Sequence, residues 1–163
     1  MDSKCAVIYK SKYGSTKCYA GWIALKLGAD LYELSDFRIR DIKKYDTIIY
    51  GGSIYFGKLS GIDFLVENYD KLKDKEVILF GVGIDDDYKF ENLDDFDKFY
   101  LRGSIDFKNI SITDKIIINY LRSKFSLKDE KLLSTYENII LNQIDSDFLD
   151  KKNIDSIINR SKA

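Results

Sequence analysis

Three short, continuously apolar runs mark the first half of the chain: Cys5–Tyr9, Thr47–Tyr50 and Val77–Val82. Each has strand length, is rich in β-branched or aromatic residues, and ends at a glycine or a polar turn. Continuous rather than alternating hydrophobicity means burial on both faces, the mark of a parallel sheet with helices on each side. Asp30–Leu34 alternates, as an edge strand does, and Ser104–Phe107 reads as a short fifth strand. Helical stripes fall between these runs. Ala20, Ile23, Ala24 and Leu27 follow i, i+3, i+4, i+7, with Gly28 placed for a C-terminal cap. Ile62, Leu65, Val66 and Tyr69 repeat the pattern, Leu93, Phe96 and Tyr100 form another, and Arg38–Lys44 leaves room for one short helix. Right-handed crossovers then predict a doubly wound α/β domain with a five-stranded parallel sheet and helices on both faces.

The last third is less regular. Ile112–Phe125, Leu132–Ile140 and Asn153–Arg160 each carry a helical stripe. A five-stranded sheet needs one closing helix, which the last segment supplies. Residues from about 111 to 146 then read as a helical insertion in a single domain spanning 1–163.

Composition narrows the chemistry. Lysine and arginine number 26 against 27 acids, a formal charge of −1, and apolar residues make up 45%. This suits a folded chain and gives no global field for nucleic acid. No apolar run approaches a membrane span and no signal peptide opens the chain, so the expectation is a cytoplasmic protein without a transmembrane segment. Histidine is absent, which removes Ser-His-Asp and Cys-His catalysis and most zinc sites. Neither a metal site nor a catalytic side chain is expected. Cys5 and Cys18 read as small core thiols. With no proline, sharp turns are expected to rest on glycine, asparagine, aspartate or serine.

In such sheets ligands bind beyond the carboxyl ends of the strands. After the first run come Ser11, Lys12, Tyr13, Gly14, Ser15 and Thr16, leading into a helix: hydroxyls, a glycine and a helix N-terminus, the parts of an anion cradle. The same residues also suit a plain N-cap. Neither G-x-x-x-x-G-K-[ST] nor a G-x-G-x-x-G after the first strand is present. After the third strand, Gly51-Gly52-Ser53-Ile54-Tyr55-Phe56-Gly57-Lys58 reads as a loop with two aromatics between glycines. After the fourth, Gly83, Ile84 and Asp85 open a loop with acids and Tyr88. Glycines let backbone approach a flat ligand, and an aromatic face can cover a ring.

Together these loops resemble a flavodoxin, whose phosphate loop [ST]-x-[TY]-G-x-[ST] is matched by Ser11–Thr16. A narrower resemblance is to flavodoxin-domain proteins related to menaquinone-dependent protoporphyrinogen oxidase. It is carried by Tyr50–Lys58, Phe99–Phe107, Ile112–Lys115 and Asp147–Ile158. The resemblance implies the flavodoxin-like strand order 2-1-3-4-5 and FMN as cofactor. Ser11, Lys12, Tyr13, Gly14, Ser15 and Thr16 would hold its phosphate. Ser53, Ile54, Tyr55, Phe56 and Gly57, with Gly83, Ile84 and Asp85, would border the isoalloxazine, and Tyr55 would stack, with Tyr88 or Phe56 in reserve.

An FMN protein needs no protein nucleophile, which accounts for the missing histidine. The implied function is electron transfer or a small flavin oxidoreductase, with a redox partner protein or a quinone as partner. The alternatives are the protoporphyrinogen oxidase activity itself and a non-redox binding module on the same fold. A signalling receiver domain, which shares this sheet order, is disfavoured by Lys10-Ser11 and Gly51-Gly52, where a receiver carries acids; of its three places only Lys108-Asn109 could match. Asp85, Asp86, Asp87, Glu91, Asp94, Asp95 and Asp97 are expected on the fourth loop and a helix after it, as a docking and potential-tuning patch or a solvated face. The inserted segment is expected to pack on the sheet, while the resemblance to the oxidase implies quinone, porphyrin or membrane-peripheral association for it.

Overall fold

The computed structural model describes residues 3–162. Strand β1 (Cys5–Lys10) leads into helix α1 (Ser15–Leu27), then β2 (Asp30–Glu33) and a 3-10 turn over Ile39–Lys44. Strand β3 (Thr47–Tyr55) folds back through β4 (Lys58–Leu59). Two short helices, α2 (Ile62–Glu67) and α3 (Tyr69–Leu72), precede β5 (Glu76–Gly83). Then follow β6 (Asp97–Arg102), β7 (Ser104–Ile105), α4 (Ile112–Phe125), α5 (Thr135–Asn142), β8 (Ser146–Asp147) and α6 (Asp155–Lys162).

The main sheet has the order β2-β1-β3-β5-β6, every neighbour parallel, with β4 antiparallel to β3 at its end. Counting only the five parallel strands, this is the expected 2-1-3-4-5. Strand alternation divides the core into two layers. Val7, Ile49, Ile78 and Phe80 face α1 and α6, meeting Tyr19, Ile23 and Ile157. Ile8, Ile48, Tyr50 and Leu79 point the other way, onto Leu65 and Leu72 of α2 and α3. Gly28 ends α1 at φ 62°, the left-handed cap the spacing predicts. Arg160 fastens α6 to the amino ends of β5 and β6, donating to Glu76 at 2.8 Å and to Asp97 at 2.6 Å.

Three sequence expectations are corrected. The fifth parallel strand is Asp97–Arg102 rather than Ser104–Phe107; Ser104–Ile105 instead pairs antiparallel with Ser146–Asp147. The stripe Leu93, Phe96, Tyr100 is not a helix. Leu93 stands at φ 59° in a turn, Phe96 is buried beneath the sheet, and Tyr100 already lies in β6. The acidic run therefore lies on an extended loop and the first residue of β6. Finally, Gly51–Tyr55 continues β3 rather than forming a loop. The glycines there make room within the sheet: a Cβ on Gly51 would overlap the Phe80 ring of the adjacent β5 residue. Sharp backbone is also not confined to the small polar residues, since Phe56, Leu93 and Gln143 all adopt positive φ.

Helices α4 and α5 pack together over a small third core. Ile118 and Ile140 bury against Ile110, Ile84 and Ile105 at the carboxyl end of the sheet. The outer side of α4 leaves Ile112, Ile116 and Tyr120 exposed. Among the described residues, no helix is long and apolar enough to cross a membrane.

Candidate functional site

The carboxyl ends of β1, β3, β5 and β6 meet at one edge, where the sheet order changes direction between β1 and β3. After β1 the chain turns through Ser11–Gly14. Gly14, at φ 103°, supplies the left-handed turn that starts α1, and its N–H donates to Ser11 Oγ at 3.0 Å. No side chain caps α1. Among the described residues, nothing accepts from the N–H groups of Tyr13, Ser15, Thr16 or Lys17. The positive end of the helix dipole is thus open, the arrangement that holds a phosphate.

The hydroxyls of this turn bind the neighbouring strands. Ser104 N–H donates to Ser15 Oγ at 3.0 Å, and the two hydroxyls are 3.0 Å apart. Thr16, almost wholly buried, lies with its Oγ1 2.9 Å from Ser53 Oγ. Lys12 N–H donates to the same Ser53 Oγ at 3.3 Å. A serine or threonine hydroxyl carries one hydrogen and two acceptor positions, so each can accept from its neighbour and still donate to an anion.

Around this turn is a cavity of about 130 Å³, lined by Ser15, Thr16, Ser53, Tyr55 and Asp114 among others. A second cavity of about 330 Å³ adjoins it, sharing Ile54, Phe56, Gly83, Ile84 and Tyr136 and bounded by Gly57, Asp85, Tyr88 and Tyr100. Its walls are mostly aromatic and aliphatic. Tyr88 Oη donates to the Gly57 carbonyl at 3.1 Å, and Tyr100 Oη to the Asp85 carbonyl at 2.9 Å, so phenols brace the two loops. Burial raises the pKa of Tyr100, Tyr88 and Tyr136, which keeps all three as neutral donors.

Of the residues singled out in the sequence, Lys12, Tyr13, Ser15, Thr16, Ser53, Ile54, Tyr55, Phe56, Gly83 and Ile84 line the first cavity. Gly57 and Asp85 line only the second. Ser11 and Gly14 line neither and shape the turn instead. Tyr55 is engaged rather than free: Lys12 Nζ lies 3.8 Å from its ring centroid, and the Phe56 ring meets it edge-on at 4.5 Å. Both cysteines are half-buried free thiols; Cys5 packs against the core, and burial with Glu76 and Asp30 nearby pushes its pKa up to about 11.

The sequence reading missed the residue that joins these parts. Asp114 is 2% exposed and accepts from Lys12 Nζ at 3.0 and 3.1 Å, and from the Tyr13 and Tyr55 hydroxyls. Burial alone raises its pKa, but the bonds from Tyr13, Tyr55 and Lys12 together outweigh it and hold the carboxyl below the ordinary value. For Lys12, burial acts downward and the contacts with Tyr55 and Asp114 prevail, raising it. Asp114 lies in the Ile112–Lys115 segment of the resemblance, and its own local signal is Ser111-x-x-Asp114, a helix-start pattern; Ser111 Oγ does accept from Asp114 N–H at 3.2 Å. It announces α4 but not where the carboxylate goes. Gly103 and Ser104, within the Phe99–Phe107 segment of the resemblance, line the first cavity as well, although no site role is expected of them from the sequence.

The sequence matches the family described as "Flavodoxin domain" over residues 6–131. No curated protein matches it. Among solved structures, a flavodoxin from the domain Archaea is similar at 20% identity, covering 55% of this chain and 65% of that one, with a TM-score of 0.40. Oxidised flavodoxin 2 from Bacillus cereus is similar at 23%, covering 61% and 86%, with a TM-score of 0.44. A mutant flavodoxin of Fusobacterium nucleatum, bound to flavin mononucleotide, is similar at 19%, covering 50% and 51%, with a TM-score of 0.37. With the match spanning well over half of its length, the chain belongs to the flavodoxin-domain family.

Proposed function

We propose that this protein binds FMN at the carboxyl edge of its sheet and serves as a redox protein. The observation that carries this is the open amino end of α1, where four unpartnered N–H groups stand beside the Ser15 and Thr16 hydroxyls. That donor set fits a phosphate monoester. Next to it, the aromatic and aliphatic walls around Ile54, Phe56, Gly83 and Tyr88 fit a flat heterocycle. FMN joins one group of each kind, and the family membership supports the same cofactor.

Residues Ser15, Thr16 and Lys12 hold the phosphate, with Ser11 and Gly14 fixing the turn. The backbone of 53–57 and 83–85 borders the ring, and Tyr55, Phe56 or Tyr88 supplies the aromatic contact. When bound, FMN supplies the electron-transfer chemistry; the chain binds, orients and excludes water. Among the acids of the fourth loop, Asp86 pairs with Arg102, Asp94 with Lys98 and Asp97 with Arg160. Asp87 is exposed at the rim of the second cavity and Glu91 is exposed close enough to act on Tyr88, which favours a redox partner with a basic contact surface.

The test is a titration of flavin-free protein followed by flavin fluorescence. FMN is expected to bind at least tenfold more tightly than riboflavin, which lacks only the phosphate. Equal affinities, or none, would remove the phosphate site and the reading with it.

A further inference from the structure

The geometry points to Asp114 as the clasp of this site: its carboxylate joins the turn after β1, the end of β3 and the start of α4, and FMN enters by breaking that junction. The inference rests on the FMN reading and adds a gate to it.

Size comes first. The first cavity holds about 130 Å³ and the adjoining second about 330 Å³, so together they reach the roughly 300–1,000 Å³ of sites for drug-sized ligands, with the narrower space at the α1 amino end. A ligand that runs from the α1 amino end to the second cavity passes through the narrower first one, where Lys12, Tyr55 and Asp114 form part of the wall.

The wall formed by α4 is held unevenly along its length. The later turns of α4 are anchored by Ile118, Leu121 and Phe125 in the third core. Its first turn itself sends no apolar side chain into that core, Ile112 being 78% exposed, and lies between Ile110 and Ile118, which are buried there. That turn is held by polar contacts: Asp114 to Lys12, Tyr13 and Tyr55, and Ser111 N–H to Tyr13 Oη at 3.2 Å. Releasing the buried carboxylate removes its bonds to Lys12, Tyr13 and Tyr55 and loosens the first turn of α4 between Ile110 and Ile118, which stay packed.

The release also exposes the binding groups. Lys12, the cation of the turn, is committed to Asp114 and lies over the Tyr55 ring. Once Asp114 lets go, the ammonium can turn to a phosphate at the adjacent helix end and the face of Tyr55 is uncovered. Phosphate replaces carboxylate as the partner of Lys12, so the charge of the turn is balanced in both states.

The experiment is stopped-flow mixing of FMN with flavin-free wild type and with Asp114→Asn, alongside hydrogen exchange of both proteins without flavin. Weakening the clasp by about 1.4 kcal/mol raises the open population, and with it the association rate, about tenfold. Amides near Ile112–Ile118 are expected to exchange faster in the variant, with those of Leu121–Phe125 unchanged. If the variant fails to fold, Tyr13→Phe, which removes one donor to the same carboxylate, is read instead. An unchanged or slower association overturns the clasp, and so does unchanged exchange over the first turn. A structural role alone would lower stability without speeding association. Wild-type protein that takes up no FMN overturns the FMN reading, and the exchange comparison then decides by itself whether Asp114 holds α4 shut.

Discussion

Thr16→Val probes the phosphate reading at one atom. The side chain is 1% exposed, and valine keeps its volume and branching while replacing a hydroxyl with a methyl group. Without flavin, the variant loses one neutral hydrogen bond, to Ser53 at 2.9 Å, worth about 0.5–1.5 kcal/mol of stability. With FMN it also loses a donor to a dianion, worth about 1.5–3 kcal/mol, or about 10- to 150-fold in Kd. Riboflavin has no phosphate to lose contact with, so its affinity should change less than about twofold. Fluorescence titration of both ligands with both proteins gives four Kd values, and their double ratio isolates the hydroxyl–phosphate contact from any general loosening. Urea unfolding of the flavin-free proteins separates the stability change. A double ratio near one would refute the placement of phosphate at the α1 amino end, however large the individual losses.

Other consequences concern the scaffold and its titration. Gly51→Ala drives a methyl group into the Phe80 ring between two central strands, and should destabilise by about 3 kcal/mol, the upper range for overpacking; a shift under about 0.5 kcal/mol in urea unfolding would contradict the packing. The Asp114 carboxyl is held below its unfolded value of about 3.9, so its contribution is complete above that pH and fades as pH falls through the lower folded pKa. The stability gap between wild type and Asp114→Asn should accordingly shrink between pH 5 and pH 3, and a gap that stays constant would count against the ionised clasp. Cys5, with its pKa pushed up to about 11, is about 0.1% thiolate at pH 8. In a Cys18→Ser background it should react with a disulfide reagent at least tenfold more slowly than the same protein in urea, and equal rates would contradict its packing.

What could be read from the chain followed from how local each signal is. Val77–Val82 and Thr47–Tyr50 sit between two helical layers, so both faces had to be apolar and the runs declared themselves. Strand β6 lies at the sheet edge with the sequence Asp-Lys-Phe-Tyr-Leu-Arg, of which only Leu101 is buried. It carries no apolar run, and the 3–4 spacing of Leu93, Phe96 and Tyr100 arises where a turn happens to pass into a strand. The glycines of β3 were visible, but their reason was not: Gly51 is fixed by Phe80, a residue 29 positions away that neighbours it only once β3 and β5 pair.

The site divides in the same way. Glycine and hydroxyls just before a helix are a local device, because the backbone donors they expose belong to that helix, so Ser11–Thr16 could be read as an anion cradle from the sequence. Asp114 could not, since it meets Lys12 across 102 positions. Its presence nevertheless follows from electrostatics. The turn gathers a lysine, four open N–H groups and a helix dipole within a half-buried pocket. Concentrated positive potential in low dielectric is unfavourable without a counter-charge. On the clasp proposal Asp114 supplies that counter-charge, and for a phosphate to take its place it must lie on an element that can withdraw. A carboxylate on the first turn of α4, held by polar contacts, suits that role, whereas one on β3 or α1 would oppose the phosphate permanently. The same requirement explains why the acid sits three residues after Ser111: the cap fixes the helix start, and with it the reach of the carboxylate across to Lys12.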